Sequence, residues 1–177
     1  RRSSDLAPFD GIAAVLRLVE PVADARAAAA GDAAPSLVDV PRAGMFATVG
    51  GMSAFGAGGS RSAQWLWLRT ALGEARECSA RRARCDEAAA GARLLSPLNR
   101  AALVPVVMRA MPLAIHASRE SDVREAIRLA VDYDVRVIVY GGAEAWRLAD
   151  ELAARAIPVV LDPLANVPAT FDAIGAR

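Results

Sequence analysis

The sequence predicts an α/β fold organised on a parallel β-sheet, and three observations predict it. From Leu113 to Leu161, apolar strand-like runs alternate with stretches of helical period, which is the pattern of βαβ units. The run Val135–Tyr140 is rich in β-branched residues and almost continuously apolar, as expected of a strand covered on both faces. The three expected strand starts, Leu113, Val135 and Ile157, are evenly spaced. Strands joined by single helices run parallel, so their carboxyl ends lie on one edge, and ligands of parallel α/β folds bind outside that edge.

Taken in order, Gly11–Glu20 places Ile12, Val15, Leu16 and Val19 on one face of an expected helix that Pro21 interrupts. Asp24–Ala30 reads as a second short helix ended by Gly31, and Ser36–Val40 and Met45–Val49 as two short strands around Pro41-Arg42-Ala43-Gly44. The glycine-rich segment from Gly50 to Gly59 is a loop that empties through Ser60-Arg61-Ser62 into a long helix. Trp65, Leu66, Leu68, Leu72 and Ala75 form the hydrophobic face of that helix, and its charged tail, Glu77 to Ala90, is expected to be exposed. Ser96 ahead of Pro97 starts another helix, with Leu98, Ala101, Leu103, Val104 and Val107 apolar.

Leu113, Ile115 and Ala117 then form a strand beside His116, the one histidine of the chain. Ser121 is the expected cap of a helix with the stripe Val123, Ala126, Ile127, Ala130 and Val131 and with Asp122 and Glu125 in its first turn. Gly141 and Gly142 end the second strand; Ala145, Leu148, Ala149 and Leu152 face inward from the next helix; Asp162 and Pro163 stop the third strand, Ile157–Leu161. The chain therefore reads as one domain over 1–177, with strands, helices and a glycine-rich loop in 1–57, a helical segment in 58–111 and a βαβαβ unit in 112–177.

Composition bounds the function. The chain has 177 residues, 54% of them hydrophobic, which is material for a real core although much of it is alanine. A formal charge of +1 offers no bulk attraction to nucleic acid or to an anionic membrane. All 21 basic residues are arginine, so Schiff-base chemistry, a phosphate-binding P-loop lysine and a carbamylated lysine bridging two metals are excluded within this sequence. Abundant alanine and arginine without lysine reflect a GC-rich genome, as in many bacteria, and carry no functional meaning. No apolar run approaches the roughly 20 residues of a membrane span, and the stretch RRSSDLAPFD lacks the apolar core of a signal peptide. The missing initiator methionine and the ending Gly175-Ala176-Arg177 give the expectation of a piece cut from a longer chain.

His116, Gly141, Gly142, Glu144, Asp162 and Asn166 all belong at or near the carboxyl edge of the strands. His116 suits a metal ligand or general base, or a hydrogen-bonded rim histidine. Asp162 can ligate a metal, orient His116 or accept a proton, and an Asp-Pro pair also caps turns. Glu144 begins a helix, where a carboxylate stabilises the dipole. Gly58-Gly59-Ser60-Arg61 has the makings of an anion-binding helix start, and Gly141-Gly142 of a nucleotide-binding turn, although Ala145 and Trp146 stand where the third glycine of that fingerprint belongs. Cys78 and Cys85 in one continuous helix would lie about 10 Å apart, beyond disulfide reach, so free thiols are expected.

Several runs together carry a family resemblance. They are Pro112-Leu-Ala-Ile-His-Ala, Asp122-Val-Arg-Glu-Ala-Ile-Arg-Leu-Ala, Val137-Ile-Val-Tyr-Gly-Gly-Ala-Glu-Ala-Trp, Ile157-Pro-Val-Val-Leu-Asp-Pro, Asn166-Val-Pro and Phe171-Asp-Ala-Ile-Gly-Ala-Arg. This part of the chain resembles the carboxyl-terminal half of the amidohydrolase superfamily, and within it the imidazolonepropionase-like enzymes; Gly58-Gly-Ser-Arg-Ser-Ala and its helix resemble the segment just upstream. The resemblance implies a partial (β/α)8 TIM-barrel-like parallel sheet with surrounding helices, since a full barrel needs about 250 residues. It also implies a zinc or other divalent metal at the carboxyl edge and a bound water that attacks an amide or ring carbonyl.

Members of that family carry a His-x-His pair after the first strand, often a lysine on the fourth, histidines after the fifth and sixth, and an aspartate after the eighth. His116 matches the fifth-strand ligand, whereas Gly141 stands where the sixth-strand histidine belongs and Asp162 follows the seventh strand. With one family ligand present, this chain by itself is expected to be inert and to hold metal weakly or not at all, the metal belonging to a full-length parent. The alternative is a non-catalytic α/β module that uses the same edge, with Gly141, Gly142 and Asn166, for a small ligand or a partner chain. The expected partner is a small-molecule substrate or ligand, and open sheet edges add the expectation of self-association.

Overall fold

A computed structural model describes residues 9–16, 38–51, 53, 58–80 and 94–161. Their elements are β1 (Phe9–Leu16), β2 (Val38–Thr48), α1 (Arg61–Ala80), α2 (Pro97–Val107), β3 (Leu113–Ala117), α3 (Glu120–Tyr133), β4 (Val137–Gly141), α4 (Ala149–Ala154) and β5 (Val159–Leu161), with a 3-10 turn at Ala145–Leu148 leading into α4. The five strands form one sheet in chain order. β1 pairs antiparallel with β2, while β2, β3, β4 and β5 run parallel. The predicted α/β class and the parallel βαβαβ stretch are thus observed.

Strand parity divides the sheet into two faces. On one face Met45, Ala47, Leu113, Ile115, Ala117, Val137 and Val139 are buried and join a core with Leu68 and Leu72 of α1, Leu103 and Val106 of α2, and Val123, Ala126 and Ile127 of α3. Each such side chain removed from water is worth about 1.5–3 kcal/mol, so this helix-covered face carries the stability. The other face holds Phe46, Ala114, Ile138 and Val160, with Val160 still 56% exposed. Helices on one face and a barer second face are the arrangement of a barrel wall, whose inner side meets further strands only on closure.

Several expectations are corrected. Gly11–Leu16 is not helical but belongs to β1, paired with β2 through Ile12↔Met45 and Val15↔Val40, and the rest of that expected helix lies outside the described residues. β2 is one strand of 11 residues rather than two. Its register with β1 jumps between Gly44 and Val40, so Pro41 lies in a bulge where its missing N–H costs no ladder bond. In α1, Leu66 is exposed while its companions are buried. The described helix is Arg61–Ala80, the rest of the expected charged tail lying outside the described residues, and Cys78 is disulfide-bonded. The expectation of free thiols is thus overturned at Cys78, and Cys85 lies outside the described residues.

α2 is capped by Ser96, which accepts from Asn99 N, as predicted, but Leu98 is 79% exposed. α3 starts at Glu120 with Arg119 in the cap position, two residues ahead of Ser121, and buries Leu129 rather than Val131. The expected helix Asp24–Ala30 and the residues from Asp162 onward lie outside the described residues.

Candidate functional site at the carboxyl edge

The parallel strands bring Thr48, His116 and Tyr140 side by side, in direct register on β2, β3 and β4. They form the last inward-facing row before the carboxyl edge, above Phe46, Ala114 and Ile138. Their rings touch: the centroids of His116 and Tyr140 are 4.9 Å apart at 56°, and those of Phe46 and Tyr140 are 5.3 Å apart at 58°. Tilted pairs at these separations are the favourable aromatic geometry.

Because β1 runs antiparallel, its first residues reach the same edge and deliver Asp10. Thr48 Oγ1 donates to Asp10 Oδ2 at 2.6 Å and lies 3.4 Å from Tyr140 Oη. A hydroxyl has one proton. With that of Thr48 given to Asp10, the phenol is the donor in the second contact, and a row of hydrogen bonds runs from Tyr140 through Thr48 to an exposed carboxylate.

Gly141 explains the posture of His116. It has φ +87°, and a Cβ built on it would stand 2.7 Å from His116 Nε2 and 2.8 Å from its Cδ2. The imidazole therefore lies on bare backbone that any side chain would fill. Gly142, at φ +51°, packs as tightly against Val159 and Ala145, and its N–H donates to Ala117 O at 3.0 Å. The glycine pair closes a turn onto β3, and the amide of Gly142 is engaged within the protein rather than turned to a phosphate.

Other predicted residues serve the frame. Glu144 does not act on its own helix; Oε2 accepts from Glu120 N at 2.8 Å and caps α3, the next element round. Glu120 in turn accepts from Arg124, whose hydrogen bond holds its carboxyl below the ordinary value of 4.5. Arg61 pairs with Asp122 across 3.3 Å and lays its guanidinium over Gly50, so the glycine–serine–arginine loop is tied to α3. Gln64, fully buried, accepts from Gly50 N at 2.9 Å and donates to Ser53 Oγ at 2.8 Å, which holds the start of that loop. Asp162 and Asn166 lie outside the described residues.

Of the predicted site residues, His116, Gly141 and Gly142 come together. Asp10, Thr48 and Tyr140 were missed, although the register of three apolar strands ending at one edge is the signal that would have aligned them. These residues do not fit a hydrolytic metal. Such a site takes about three protein ligands and an open position. Among the described residues, no group of three or more His, Cys, Asp or Glu side chains is arranged to hold an ion. The chain's one imidazole rests on the backbone of Gly141.

No protein-family model matches the chain, and no curated protein matches it. Among solved structures, an amidohydrolase from Thermotoga maritima MSB8 superposes with a TM-score of 0.76 at 18% identity, over 96% of this chain and 43% of that one. The chain thus has an amidohydrolase-like fold and spans less than half the length of that structure. Among the described residues no helix is long and apolar enough to cross a membrane.

Proposed function

We propose that this chain is the later-strand part of an amidohydrolase-type hydrolase of the imidazolonepropionase-like kind. The whole barrel hydrolyses carbon–nitrogen bonds of amides or cyclic amides with zinc or another divalent metal, and the chain by itself is catalytically inert. The observation that carries this reading is His116 at the carboxyl edge of its strand, in a fold like that of a solved amidohydrolase. The posture of the imidazole on Gly141 supports the second half of the reading, because one ligand cannot retain a hydrolytic metal.

Elemental analysis of the purified chain tests it, run beside the His116→Ala variant. No stoichiometric metal is expected in either. Zinc near one per chain that disappears in the variant would overturn the inert assignment. The family assignment is checked separately: the flanking reading frame should encode a His-x-His pair upstream and an aspartate downstream.

A second reading is favoured by one specific feature, the hydrogen-bonded row of Asp10, Thr48 and Tyr140. It casts the edge as a site that holds a small ligand without turning it over.

A further inference from the structure

We infer that the inward-facing row Asp10, Thr48, His116 and Tyr140 is a metal-independent binding site for a planar organic cation: an amidinium, a guanidinium or a protonated nitrogen heterocycle. The inference does not rest on hydrolysis. It follows from what the side chains can offer.

Three rings stand in a row, Phe46, Tyr140 and His116, with centroids 5.3 and 4.9 Å apart. Aromatic faces are electron-rich and attract cations placed over them. They also stack on flat groups. The polar atoms beside them accept rather than donate. The proton of Tyr140 goes to Thr48 and that of Thr48 to Asp10, so the phenol presents its lone pairs, and the row ends on an exposed carboxylate. His116 makes no hydrogen bond from its side chain among the described residues, which leaves a neutral imidazole one acceptor nitrogen for a ligand N–H. Arg61, a cation carried near this edge, is paired with Asp122. Lone pairs, a carboxylate and ring faces at one edge select a flat group that carries positive charge and N–H donors, and they repel an anion.

Gly141 supplies the remaining requirement, a fixed wall. With the imidazole lying on its backbone, His116 is held in one orientation next to Tyr140, and a flat ligand meets a preorganised surface.

Three probes of one shape and different charge test the proposal: benzamidine, benzamide and benzoate, titrated into the full chain at neutral pH and read by NMR shifts of the His116 and Tyr140 ring protons. Benzamidine is expected to bind roughly tenfold more tightly than benzamide, from cation–π attraction and a screened carboxylate. Benzoate is expected to bind weakest. Asp10→Asn should erase most of the preference for benzamidine over benzamide, and Tyr140→Phe should weaken both while circular dichroism stays unchanged. Benzamide or benzoate binding as tightly as benzamidine overturns the proposal, as does an absence of shifts with all three. Should Tyr140→Phe prove unfolded, the charge series on the unaltered chain and on Asp10→Asn decides.

Discussion

Placing the simplest side chain on Gly141 tests the geometry of the site most directly. At φ +87°, Gly141→Ala carries a left-handed backbone penalty of roughly 1–2 kcal/mol. The new Cβ would also meet His116 Nε2 at 2.7 Å and Cδ2 at 2.8 Å, a contact that forces the ring aside. Overpacking of that kind costs about 1–3 kcal/mol, so the substitution should destabilise the chain by about 2–5 kcal/mol. His116→Ala empties the space, and in that background Gly141→Ala should cost only the backbone part, about 1–2 kcal/mol. The two changes are therefore coupled by about 1–3 kcal/mol, which urea unfolding of the four proteins measures as a double-mutant cycle. The buried Trp65 provides the fluorescence signal. Equal unfolding slopes would confirm that the native state, rather than the denatured chain, has changed. Additivity within about 0.5 kcal/mol would refute the placement of the imidazole on Gly141, and with it the account of why that position has no side chain.

Two further outcomes follow from the frame. Arg100 is 2% exposed, donates to Leu95 O at 2.6 Å and lies 3.9 Å from Glu74, whose carboxylate accepts from Leu94 N at 2.6 Å and Leu95 N at 3.1 Å. Glu74→Ala should destabilise the chain by about 3 kcal/mol, with partial recovery when Arg100 is also replaced by methionine, both measured by chemical denaturation. The carboxyl of Glu120 is depressed below 4.5, first by its hydrogen bond from Arg124 and then by Coulomb attraction to Arg124 and Arg147. A depressed carboxylate stabilises the fold above its unfolded pKa, and that contribution is lost as pH falls through the folded value. Glu120→Gln should thus lower the melting temperature at neutral pH and flatten its fall below pH 4.5, and an unchanged acid limb would exclude the role.

The parallel part of the fold was legible because each of its signals is local. Val135–Tyr140 is apolar enough to be covered, the glycine pair punctuates, and α3 shows its helical stripe. β1 was not, and β2 was read as two strands, since the evidence for each lies in the other. Ile12, Val15 and Leu16 satisfy a helical spacing, yet Ile12 pairs with Met45 and Val15 with Val40, and antiparallel pairing across an intervening segment leaves no mark within either strand. Pro41 reads as a break, and it is one only for the ladder; the chain continues extended through a bulge. Leu98 and Val131 were placed inside by periodicity alone, whereas the face a helix buries depends on which neighbour it meets.

The site divides along the same line. His116 and the glycine pair could be placed because a strand's own sequence tells where it ends. Thr48 and Tyr140 required knowledge of register, and Asp10 required the direction of β1, neither of which is encoded in one strand. Gly141 shows the difference most clearly. As a position in a family pattern it reads as a lost ligand, an absence. In the structure it is occupied, because the ring of His116 lies where its side chain would begin. His116 and Gly141 therefore form a single feature: with the ring lying beside Tyr140, a side chain at 141 would displace it. Any side chain placed at 141 therefore acts on His116 as well, because the ring would have to leave the backbone it rests on and the aromatic row that it completes.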